Sequence, residues 1–417
     1  MLDRSIWPTK DYSRVPYSLY HDPAVYKLEQ ERIFRGECWA YAGLDAEILK
    51  PGDFRRAQVG DTPIVFGRSS DNEIYAFVNR CAHRGALVVR ESWGNSLRHT
   101  CIYHRWCYSQ TGDLTIVPFR KGVRGMGGLD KDFDMAKHGL RKLQVANVNG
   151  AIFCTFSERA EPIEAYLGTM IHSHLKRIFN RPVRILGYQR QRVRANWKLY
   201  AENLRDLYHG SLLHEFQRTF GLSRVTQKGG TRMDARHRHG ISYTVQGTDD
   251  DVETKRLYGE SQMNADRLQL SDDRLTAYVP EFADGESLTI CSVFSNAMFQ
   301  QIRNSLAVRQ IRTHGVDEFE IYTTLFGYAD DSSEMTGHRL RQANMVGPAG
   351  LVSMEDGEAC EIVQRGSVCE VDASSLIEMG GKGPIIDLPS RVNDIAIRGF
   401  WSYYAELMGI EPEGAVR

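Results

Sequence analysis

Two short motifs, each holding one cysteine and one histidine, constrain the fold of this chain more than any other feature. The first reads Cys81-Ala-His83 and the second, after 17 intervening residues, reads Cys101-Ile-Tyr-His104. Thiolate sulfur and imidazole nitrogen are metal ligands, and ligand pairs separated in this way belong on two loops. The surrounding segment must therefore fold so that both loops meet at one metal site.

Two thiolates and two imidazoles are the ligands of a Rieske-type [2Fe–2S] cluster, in which each iron binds one kind of ligand. A structural zinc site with the same four residues is the alternative, but zinc motifs usually pair Cys with Cys and His with His. Each pair here mixes the two types, so the pattern favours the iron–sulfur cluster. We interpret the nearby His99 and Cys107 as packing or surface residues rather than ligands.

Short β-type runs separated by turns surround the two motifs. They include TPIVFG (62–67), EIYAFVN (73–79) and ANVNGAIFCTF (146–156). Such runs predict an all-β domain over residues 41–157 that carries the cluster. The preceding residues 1–40 read as an arm and a helix, because DPAVYKLEQERIFRG begins with a helix-start Asp-Pro. We expect this segment to pack on the larger domain that follows residue 157.

Residues 158–417 mix β-type runs with long helical patterns such as SSEMTGHRLRQANM. Because strands and helices do not alternate one by one, the pattern predicts an α+β domain built on an antiparallel sheet. We expect a helix-grip arrangement, in which this sheet curls round the long helices and leaves a pocket. The whole chain is thus predicted to be α+β, with a Rieske domain and a larger catalytic domain.

A second group of candidate ligands lies in the long helical pattern that begins at Asn196-Trp197. His209 and His214 are five residues apart, which places them about 140° apart round a regular helix. They can face one metal only if the helix breaks between them, and Gly210 lies where a break is easiest. Two histidines with one carboxylate form the facial triad of non-haem Fe(II) oxygenases, which leaves coordination positions open.

From these motifs outward, the chain resembles the α (large, catalytic) subunits of Rieske non-haem iron oxygenases that hydroxylate aromatic rings. CAHRGALVV and CIYHRWCYSQTGDL resemble the two cluster loops of that family, and the resemblance covers nearly the whole chain. It implies one [2Fe–2S] cluster and one mononuclear Fe(II). The family pattern Glu/Asn-Asn-x2-Asp-x-Tyr-His-x4-His is met by Glu202, Asn203, Asp206, Tyr208, His209 and His214.

The resemblance also implies the carboxylate ligand of the mononuclear iron. Residues 347–366 resemble the family segment that supplies it, and the matching residue is Asp356, with Glu355 and Glu358 as alternatives. The family often has Asp-Asp where this chain has Glu355-Asp356. The departure falls on the position that is not a ligand, so the implied ligand set is unaffected.

In the family, the aspartate that matches Asp206 is not a ligand. It links a histidine of the mononuclear site to a cluster histidine of the neighbouring subunit, and a carboxylate in this place also fixes the histidine tautomer. The resemblance therefore implies that Asp206 is the inter-subunit electron-transfer bridge of a cyclic oligomer. Asn203 and Tyr208 complete the implied catalytic set.

Three further residues are candidates for binding the substrate. Arg309 lies in SLAVRQIR, Arg398 in DIAIRGFW and Ser242 in HGISYTV. An arginine taken at random more often forms a surface salt bridge, but guanidinium groups are also the best partners of carboxylates. Oxygenases acting on terephthalate and salicylate are similar in these stretches. The resemblance thus implies a monocyclic aromatic carboxylate, namely anthranilate, salicylate, terephthalate or a halobenzoate.

The implied function is that of a terminal oxygenase that adds O2 to this ring by 1,2-dioxygenation. Electrons would come from NADH through a separate reductase, with or without a ferredoxin, because the chain has no flavin or nicotinamide motif. The resemblance implies a small β subunit in an α3β3 assembly. A salicylate-type ring monohydroxylase is one alternative. A Rieske monooxygenase or demethylase that forms a homotrimer is another, because it needs the same residues. A Rieske electron carrier is the non-enzyme alternative, but it leaves about 250 residues without a purpose.

Composition excludes several other classes of protein. The net charge of -1 gives no reason to expect nucleic acid or an anionic membrane as a partner;. No window of about 18 apolar residues occurs, and the N-terminus lacks the layout of a secretory signal. The eight cysteines are too sparse for a disulfide scaffold, so we expect a cytoplasmic protein;.

Overall fold

The computed structural model describes residues 6–264 and 266–416, so the first five residues of the predicted arm lie outside it. The chain forms two compact units. The larger combines Met1–Ile33 with Glu164–Arg417, and the smaller comprises Phe34–Ile163. The limits predicted at residues 40 and 157 differ from these by seven and six residues.

Strands and helices are both abundant, as an α+β chain requires. The strands of the described residues are β1 (Arg14–Pro16), β2 (Ala40–Leu44), β3 (Asp53–Val59), β4 (Thr62–Arg68), β5 (Ile74–Val78), β6 (Trp93–Asn95), β7 (Arg98–Thr100), β8 (Cys107–Ser109), β9 (Leu114–Ile116), β10 (Gln144–Val148), β11 (Ala151–Thr155), β12 (Val183–Val193), β13 (Gly229–Met233), β14 (Gly240–Thr244), β15 (Leu288–Val293), β16 (Ala297–Ile302), β17 (Ser305–Thr313), β18 (Phe319–Tyr328) and β19 (Ser374–Leu376). The α-helices are α1 (Ser18–His21), α2 (Pro23–Glu29), α3 (Ile163–Ile178), α4 (Trp197–Asn203), α5 (Glu215–Thr219), α6 (Asp251–Glu260), α7 (Ser333–Val346), α8 (Ser353–Ser367) and α9 (Ile395–Met408).

The smaller unit is built from three antiparallel sheets, with strand orders β10-β11-β2, β5-β4-β3-β6 and β7-β8-β9. Both Cys–His motifs lie in loops of these sheets, the first between β5 and β6 and the second between β7 and β8. Buried aromatic side chains such as Phe77, Trp106 and Tyr108 pack between the sheets next to the two cysteines. The predicted all-β domain is therefore confirmed.

The larger unit is organised by one antiparallel seven-stranded sheet, with the order β12-β18-β17-β16-β15-β14-β13. Helices α4 and α7 contact β17, α8 contacts β12, and α4 and α8 contact each other. The predicted antiparallel α+β domain is confirmed. None of the helices in the described residues is both long and apolar enough to span a membrane.

The helical pattern that contains the two histidines is broken, as their spacing requires. Helix α4 begins after Asn196, whose side chain accepts a hydrogen bond from the Lys198 N–H, and it ends at Asn203. Asp206 Oδ1 then accepts hydrogen bonds from the N–H groups of Tyr208 and His209. This carboxylate competes with the helical hydrogen bonds of the backbone, so the chain turns before a short 3-10 segment begins at His209;.

Candidate metal centres and substrate cavity

The two cluster loops of the smaller unit are closed by the same pair of backbone hydrogen bonds. In the first, Cys81 N–H donates to the Ala86 carbonyl and Gly85 N–H donates back to Cys81. In the second, Cys101 donates to the Trp106 carbonyl and Arg105 donates back. Gly85 and Arg105 hold equivalent positions with φ of 75° and 60°, so both loops turn through a left-handed residue;.

This closure places two thiols inside and two imidazoles outside. Cys81 and Cys101 are buried, whereas His83 is exposed and His104 is half-buried. The imidazole rings of His83 and His104 lie 4.5 Å apart between their centroids. Buried sulfur on one side and paired imidazoles on the other fit the two unlike irons of a Rieske cluster.

Neighbouring side chains support the thiols and the rings. The Tyr108 hydroxyl lies 3.2 Å from Cys81 Sγ and also accepts a hydrogen bond from the Ala82 N–H. The ring of His83 stacks on Trp106 with centroids 4.8 Å apart. His99 packs edge-on against Phe54 and Phe77, and burial lowers its pKa to about 4.

The second candidate site, in the larger unit, consists of His209, His214 and Asp356. One ligand atom from each lies within 4.8 Å of the other two. Nε2 of His209 is 3.4 Å and Nε2 of His214 is 3.3 Å from Asp356 Oδ1. Two imidazole nitrogens and one buried carboxylate on one side of a point fit the donor set of the facial triad.

Residues round this site hold the three side chains in place. Glu355, which sequence reasoning had left as an alternative ligand, instead contacts the outer nitrogen, Nδ1, of His214 at 2.6 Å. Asp206 Oδ2 lies 3.1 Å from Nδ1 of His209, and the amide of Asn203 donates to Asp356 Oδ1 at 3.2 Å. The other alternative, Glu358, is exposed, and the half-buried Tyr208 contributes its N–H to Asp206.

The carboxylates dominate the electrostatics of the site. Burial opposes charge on His209, but the hydrogen bonds that its ring donates to Asp206 and Asp356 outweigh burial and raise the pKa of His209 to about 10. Burial likewise opposes charge on Asp356, but the hydrogen bonds that it accepts from His209 and His214 outweigh burial and lower the pKa of Asp356. The arrangement therefore stabilises positive charge, as a cation-binding site must.

A cavity opens from the three candidate ligands. Its wall alternates along the sheet, because every second residue of β15 and β16 faces it;. Most of the exposed surface of the lining is apolar, and the apolar residues are Leu204, Leu207, Leu288, Ile290, Met298, Ile302 and Val352. The polar lining beyond the three candidate ligands comprises Asn203, Asp206, Gln217, Ser223, Gln300, Arg309 and Arg391. A dry wall with few polar groups is typical of a small-molecule site.

Arg309, predicted as a substrate residue, lines the cavity and is buried. Its guanidinium donates to the Tyr200 hydroxyl at 2.9 Å, the Ser353 hydroxyl at 3.4 Å and the Val346 carbonyl at 3.3 Å, while its Nε has no partner within the described chain. Ser353 lies three residues before Asp356, so Arg309 is close to the candidate iron.

Arg391 is the second cavity arginine, and sequence reasoning missed it. It is buried, donates to Ser223 and Gln227, and its Nε is likewise without a partner in the described residues. Its Nη2 is 3.7 Å from where a Cβ on Gly210 would lie, next to the candidate ligand segment. Arg391 precedes α9 in an irregular segment, so no periodic pattern distinguishes it in the sequence.

Arg398 and Ser242 do not join these residues. The guanidinium of Arg398 donates hydrogen bonds to the backbone carbonyls of Asp11 at 2.8 Å, Gly381 at 2.8 Å and Gly383 at 2.7 Å. Arg398 does not line the cavity. It ties α9 to the N-terminal arm instead. Ser242 lies opposite Ile290 on the sheet but is outside the cavity lining.

Two known protein families match most of the chain. Residues 38–127 match the Rieske [2Fe-2S] domain, and residues 175–409 match the family described as "Ring hydroxylating alpha subunit (catalytic domain)". The second match alone covers more than half of the sequence, so the chain belongs to the ring-hydroxylating oxygenase α subunits. It therefore carries a Rieske [2Fe–2S] cluster and a mononuclear iron, with electrons from NADH through a separate reductase.

Three relatives are similar over nearly their whole length. The large subunit of anthranilate 1,2-dioxygenase from Burkholderia cepacia is 45% identical, covering 97% of this chain and 95% of the relative. Terephthalate 1,2-dioxygenase, terminal oxygenase component subunit alpha 2, from Comamonas sp. is 44% identical, covering 97% and 98%. The large oxygenase component of salicylate 5-hydroxylase from Ralstonia sp. is 40% identical, covering 97% and 96%.

The fold is also that of a solved ring-hydroxylating enzyme. Naphthalene 1,2-dioxygenase from Rhodococcus sp. bound to indole matches with a TM-score of 0.77 at 24% identity, covering 95% of this chain and 94% of that one. Because the match covers 95% of this chain, it includes residues of both units. The predicted α+β class with its all-β Rieske part is therefore shared with that enzyme.

Proposed function

We propose that this chain is the terminal oxygenase component that hydroxylates a monocyclic aromatic carboxylate with O2 and NADH-derived electrons, by 1,2-dioxygenation. One observation carries the choice of substrate. Arg309 and Arg391 are buried in an apolar cavity beside the three candidate ligands, and neither is within ion-pair distance of a carboxylate in the described chain. A buried cation is unfavourable unless it is paired, so the cavity is complementary to an anion brought by the substrate.

The metal ligands follow from the donor sets. Cys81, His83, Cys101 and His104 would hold the [2Fe–2S] cluster, and His209, His214 and Asp356 would hold Fe(II). Bound there, the iron supplies the activation of O2 that the ring reaction needs. Glu355 fixes the ring of His214, since it engages Nδ1 and leaves Nε2 facing the site;.

The remaining side chains position the substrate and keep the site dry. The guanidinium groups of Arg309 and Arg391 bind the carboxylate, and Gln227 and Tyr200 orient them through single hydrogen bonds;. The apolar wall accommodates the ring and excludes water from it. Asn203 contacts both a histidine and the carboxylate of the candidate triad, so it restrains their geometry.

Asp206 is the proposed route for electrons between subunits. Its Oδ2 contacts Nδ1 of His209, and 21% of its side chain is exposed, so a neighbouring chain can reach it. We propose an α3β3 assembly in which the cluster of one α subunit serves the iron of the next through this residue. A reductase, with or without a ferredoxin, completes the system. Because this reductase uses NADH, we propose that the enzyme is cytoplasmic.

Substrate-dependent O2 consumption by the purified oxygenase with a reductase tests the proposal. Benzoate, anthranilate, salicylate and terephthalate are compared with the corresponding neutral amides. We expect at least one acid to be hydroxylated and its amide to react about 10- to 100-fold more slowly, because a charge-assisted hydrogen bond contributes about 1.5–3 kcal/mol. Equal rates for acids and amides would contradict the carboxylate assignment.

Variants of the two arginines separate binding from folding. Arg309→Met and Arg391→Met should each raise KM for the acid. KM for the corresponding amide should change little. Arg256→Met is the matched control, since Arg256 is a surface residue of α6 that pairs with Glu253 and Glu260. A loss of the same size in the control would mean that the arginines act through stability alone.

Ring monohydroxylation is the second candidate, and the relative named salicylate 5-hydroxylase favours it. The site is the same in both cases, so product analysis distinguishes them: a diol carries two new hydroxyl groups and a monohydroxylated acid carries one. A pure electron carrier would keep its function in a His209→Ala variant. Retention of the cluster with complete loss of hydroxylation in that variant excludes the carrier.

A further inference from the structure

The substrate cavity holds a polar group that the reaction described above does not use. Gln300 lies on β16, is 1% exposed, and its Oε1 has no hydrogen-bond partner within the described residues. Its neighbours in the wall along β15 and β16 are Leu288, Ile290, Met298 and Ile302. An unpaired carbonyl oxygen in an apolar wall is unfavourable, so Gln300 requires a hydrogen-bond donor that the described residues do not supply.

We propose that Gln300 recognises a hydrogen-bond donor on the substrate ring, so that the native acid is an aminobenzoate or a hydroxybenzoate. The inference rests on the proposed function, because it assumes that Arg309 and Arg391 bind the carboxylate. It adds the second point of recognition and narrows the substrate class from any monocyclic aromatic acid to one with an N–H or O–H group on its ring.

The register of the sheet places Gln300 next to the carboxylate-binding end of the cavity. Gln300 is paired with Ala307, and Met298 is paired with Arg309. Gln300 and Arg309 are therefore diagonal neighbours on the same face, with Cα atoms roughly 7–8 Å apart. A single aromatic ring with its carboxylate at Arg309 can reach the Gln300 amide with a nearby substituent.

The residues that flank Gln300 across the sheet are both apolar. In the row across the sheet, Gln300 has Ile290 on one side and Ala307 on the other. Ala307 is buried in a hydrophobic cluster with Leu325 and Ala343, so it offers no hydrogen-bond partner to the Gln300 oxygen. Ile290 provides an apolar surface for the ring itself.

The chemistry of the unpaired atom selects the substituent. Oε1 of glutamine accepts hydrogen bonds and cannot donate them. The amino group of anthranilate and the hydroxyl group of salicylate donate, whereas the second carboxylate of terephthalate and the halogen of a halobenzoate have no proton to offer. Benzoate offers nothing at this position and would leave the Gln300 oxygen unpaired.

The test compares binding and turnover of four acids by the purified oxygenase. Dissociation constants for anthranilate, salicylate, benzoate and terephthalate are measured by isothermal titration calorimetry, and kcat/KM is measured with the reductase. We expect the wild type to bind anthranilate or salicylate at least about 10-fold more tightly than benzoate, since a site built to pair a donor rejects analogues that lack it.

Removal of the acceptor should erase this preference. In Gln300→Leu we expect about a 10-fold or greater loss for the acid with the donor and a change of less than about 3-fold for benzoate. Gln300→Met, which is unbranched like glutamine, is the second variant should leucine disturb the sheet. Met298→Leu changes the same wall without removing a polar atom, so the ratio between the acids should stay that of the wild type.

The outcomes separate the two claims. Conversion of at least one acid together with a wild-type preference below about 10-fold, or a preference that survives in both Gln300 variants, overturns the role of Gln300 and leaves the proposed function standing. A marked preference for terephthalate overturns it too. Failure of the wild type to bind or convert any of the four acids instead overturns the proposed function.

Discussion

Two consecutive residues of α8, Glu355 and Asp356, contact opposite nitrogens of the His214 ring. Asp356 points a carboxylate oxygen at Nε2, and Glu355 engages Nδ1 on the other side of the ring at 2.6 Å. The two adjacent side chains thus hold one imidazole between them. The longer glutamate replaces the aspartate that the family often has at this position, and its reach still suffices for a short contact.

Loss of Glu355 should weaken iron binding without touching the cluster. Glu355→Ala removes the group that orients His214 and fixes its tautomer, so we expect about a 10- to 100-fold lower affinity for Fe(II). Iron content after dialysis against a chelator measures this, and the visible spectrum of the cluster serves as an internal standard. Glu358→Ala, on the exposed face of the same helix, is the control and should retain its iron. Equal iron retention in both variants would contradict the assigned role.

The Tyr108 hydroxyl should tune the reduction potential of the cluster. A hydrogen bond to a thiolate is stronger when the cluster carries more negative charge, so its loss lowers the potential. For Tyr108→Phe we expect a decrease of about 40 mV, equivalent to about 1 kcal/mol for one electron. The measurement is a redox titration followed by electron paramagnetic resonance.

The control for Tyr108 is another hydroxyl–sulfur contact of the same unit. The Thr100 hydroxyl lies 3.0 Å from Cys107 Sγ, and Cys107 is not among the proposed ligands. Thr100→Val should therefore leave the potential where it is. An unchanged potential in Tyr108→Phe, or an equal decrease in both variants, would disprove the assignment.

Residues fixed by short spacing could be predicted from the sequence, whereas residues brought together by distant segments could not. The cysteines and histidines proposed as ligands lie in short motifs with characteristic spacing. The third ligand of the mononuclear iron, Asp356, was predicted from a family resemblance. Arg391 contacts Ser223 and Gln227, more than 160 residues earlier. Arg398 looked equivalent in the sequence, but its guanidinium binds backbone carbonyls of segments that only the tertiary fold brings to it.

At the scale of elements, the break in the histidine-bearing helix was predictable and its extent was not. The angle of about 140° between His209 and His214 rules out a continuous helix. The helix nevertheless ends at Asn203, six residues before the first histidine, because the Asp206 side chain takes over two backbone N–H groups. A side-chain cap of this kind depends on one rotamer, which periodicity does not reveal.

Helix α4 is anchored to α2 by a buried ion pair. Lys198 Nζ lies 2.5 Å from Glu29 Oε1, and both side chains are fully buried. Glu29 also accepts hydrogen bonds from Trp197 at 2.8 Å and from the Tyr404 hydroxyl at 2.6 Å. The pair thus joins α2, α4 and α9 behind the segment that carries the candidate ligands.

Removal of one partner should destabilise the larger unit strongly. Lys198→Met leaves Glu29 charged and buried without its cation, so we expect a loss of roughly 3–5 kcal/mol in the free energy of unfolding. Urea denaturation of the purified protein measures it. The double variant Lys198→Met/Glu29→Gln should recover most of the loss, since no buried charge then remains. Additive losses in the double variant would contradict this explanation.

At the scale of the whole molecule, the two classes of architecture were predictable from pattern alone. Alternating short runs indicated the all-β unit, and mixed strands and helices indicated the antiparallel α+β unit. The N-terminal segment belongs to the larger unit, and its strand β1 pairs with β19, where Arg14 lies opposite Leu376. Such long-range pairing leaves no local signal, so the sequence could not specify it.

The proposed passage of electrons between subunits depends on Asp206. Asp206→Asn keeps an oxygen for the N–H groups of Tyr208 and His209, but it removes the carboxylate charge beside His209. We expect both metals to stay bound and oxidation of the pre-reduced cluster to slow by about 10- to 100-fold in a single turnover with substrate and O2. Stopped-flow absorbance measures the rate. A wild-type rate in this variant would exclude Asp206 as the bridge.

We propose that the site of His209, His214 and Asp356 places oxygen from O2 on the ring of an aromatic acid. The most direct test of this proposal is turnover of the accepted acid under 18O2, with mass spectrometry of the first product. We predict two 18O atoms in an initial diol from the wild type, and no labelled product from His209→Ala that retains its cluster. Product oxygen derived from water, or labelled product from the His209 variant, would contradict the account.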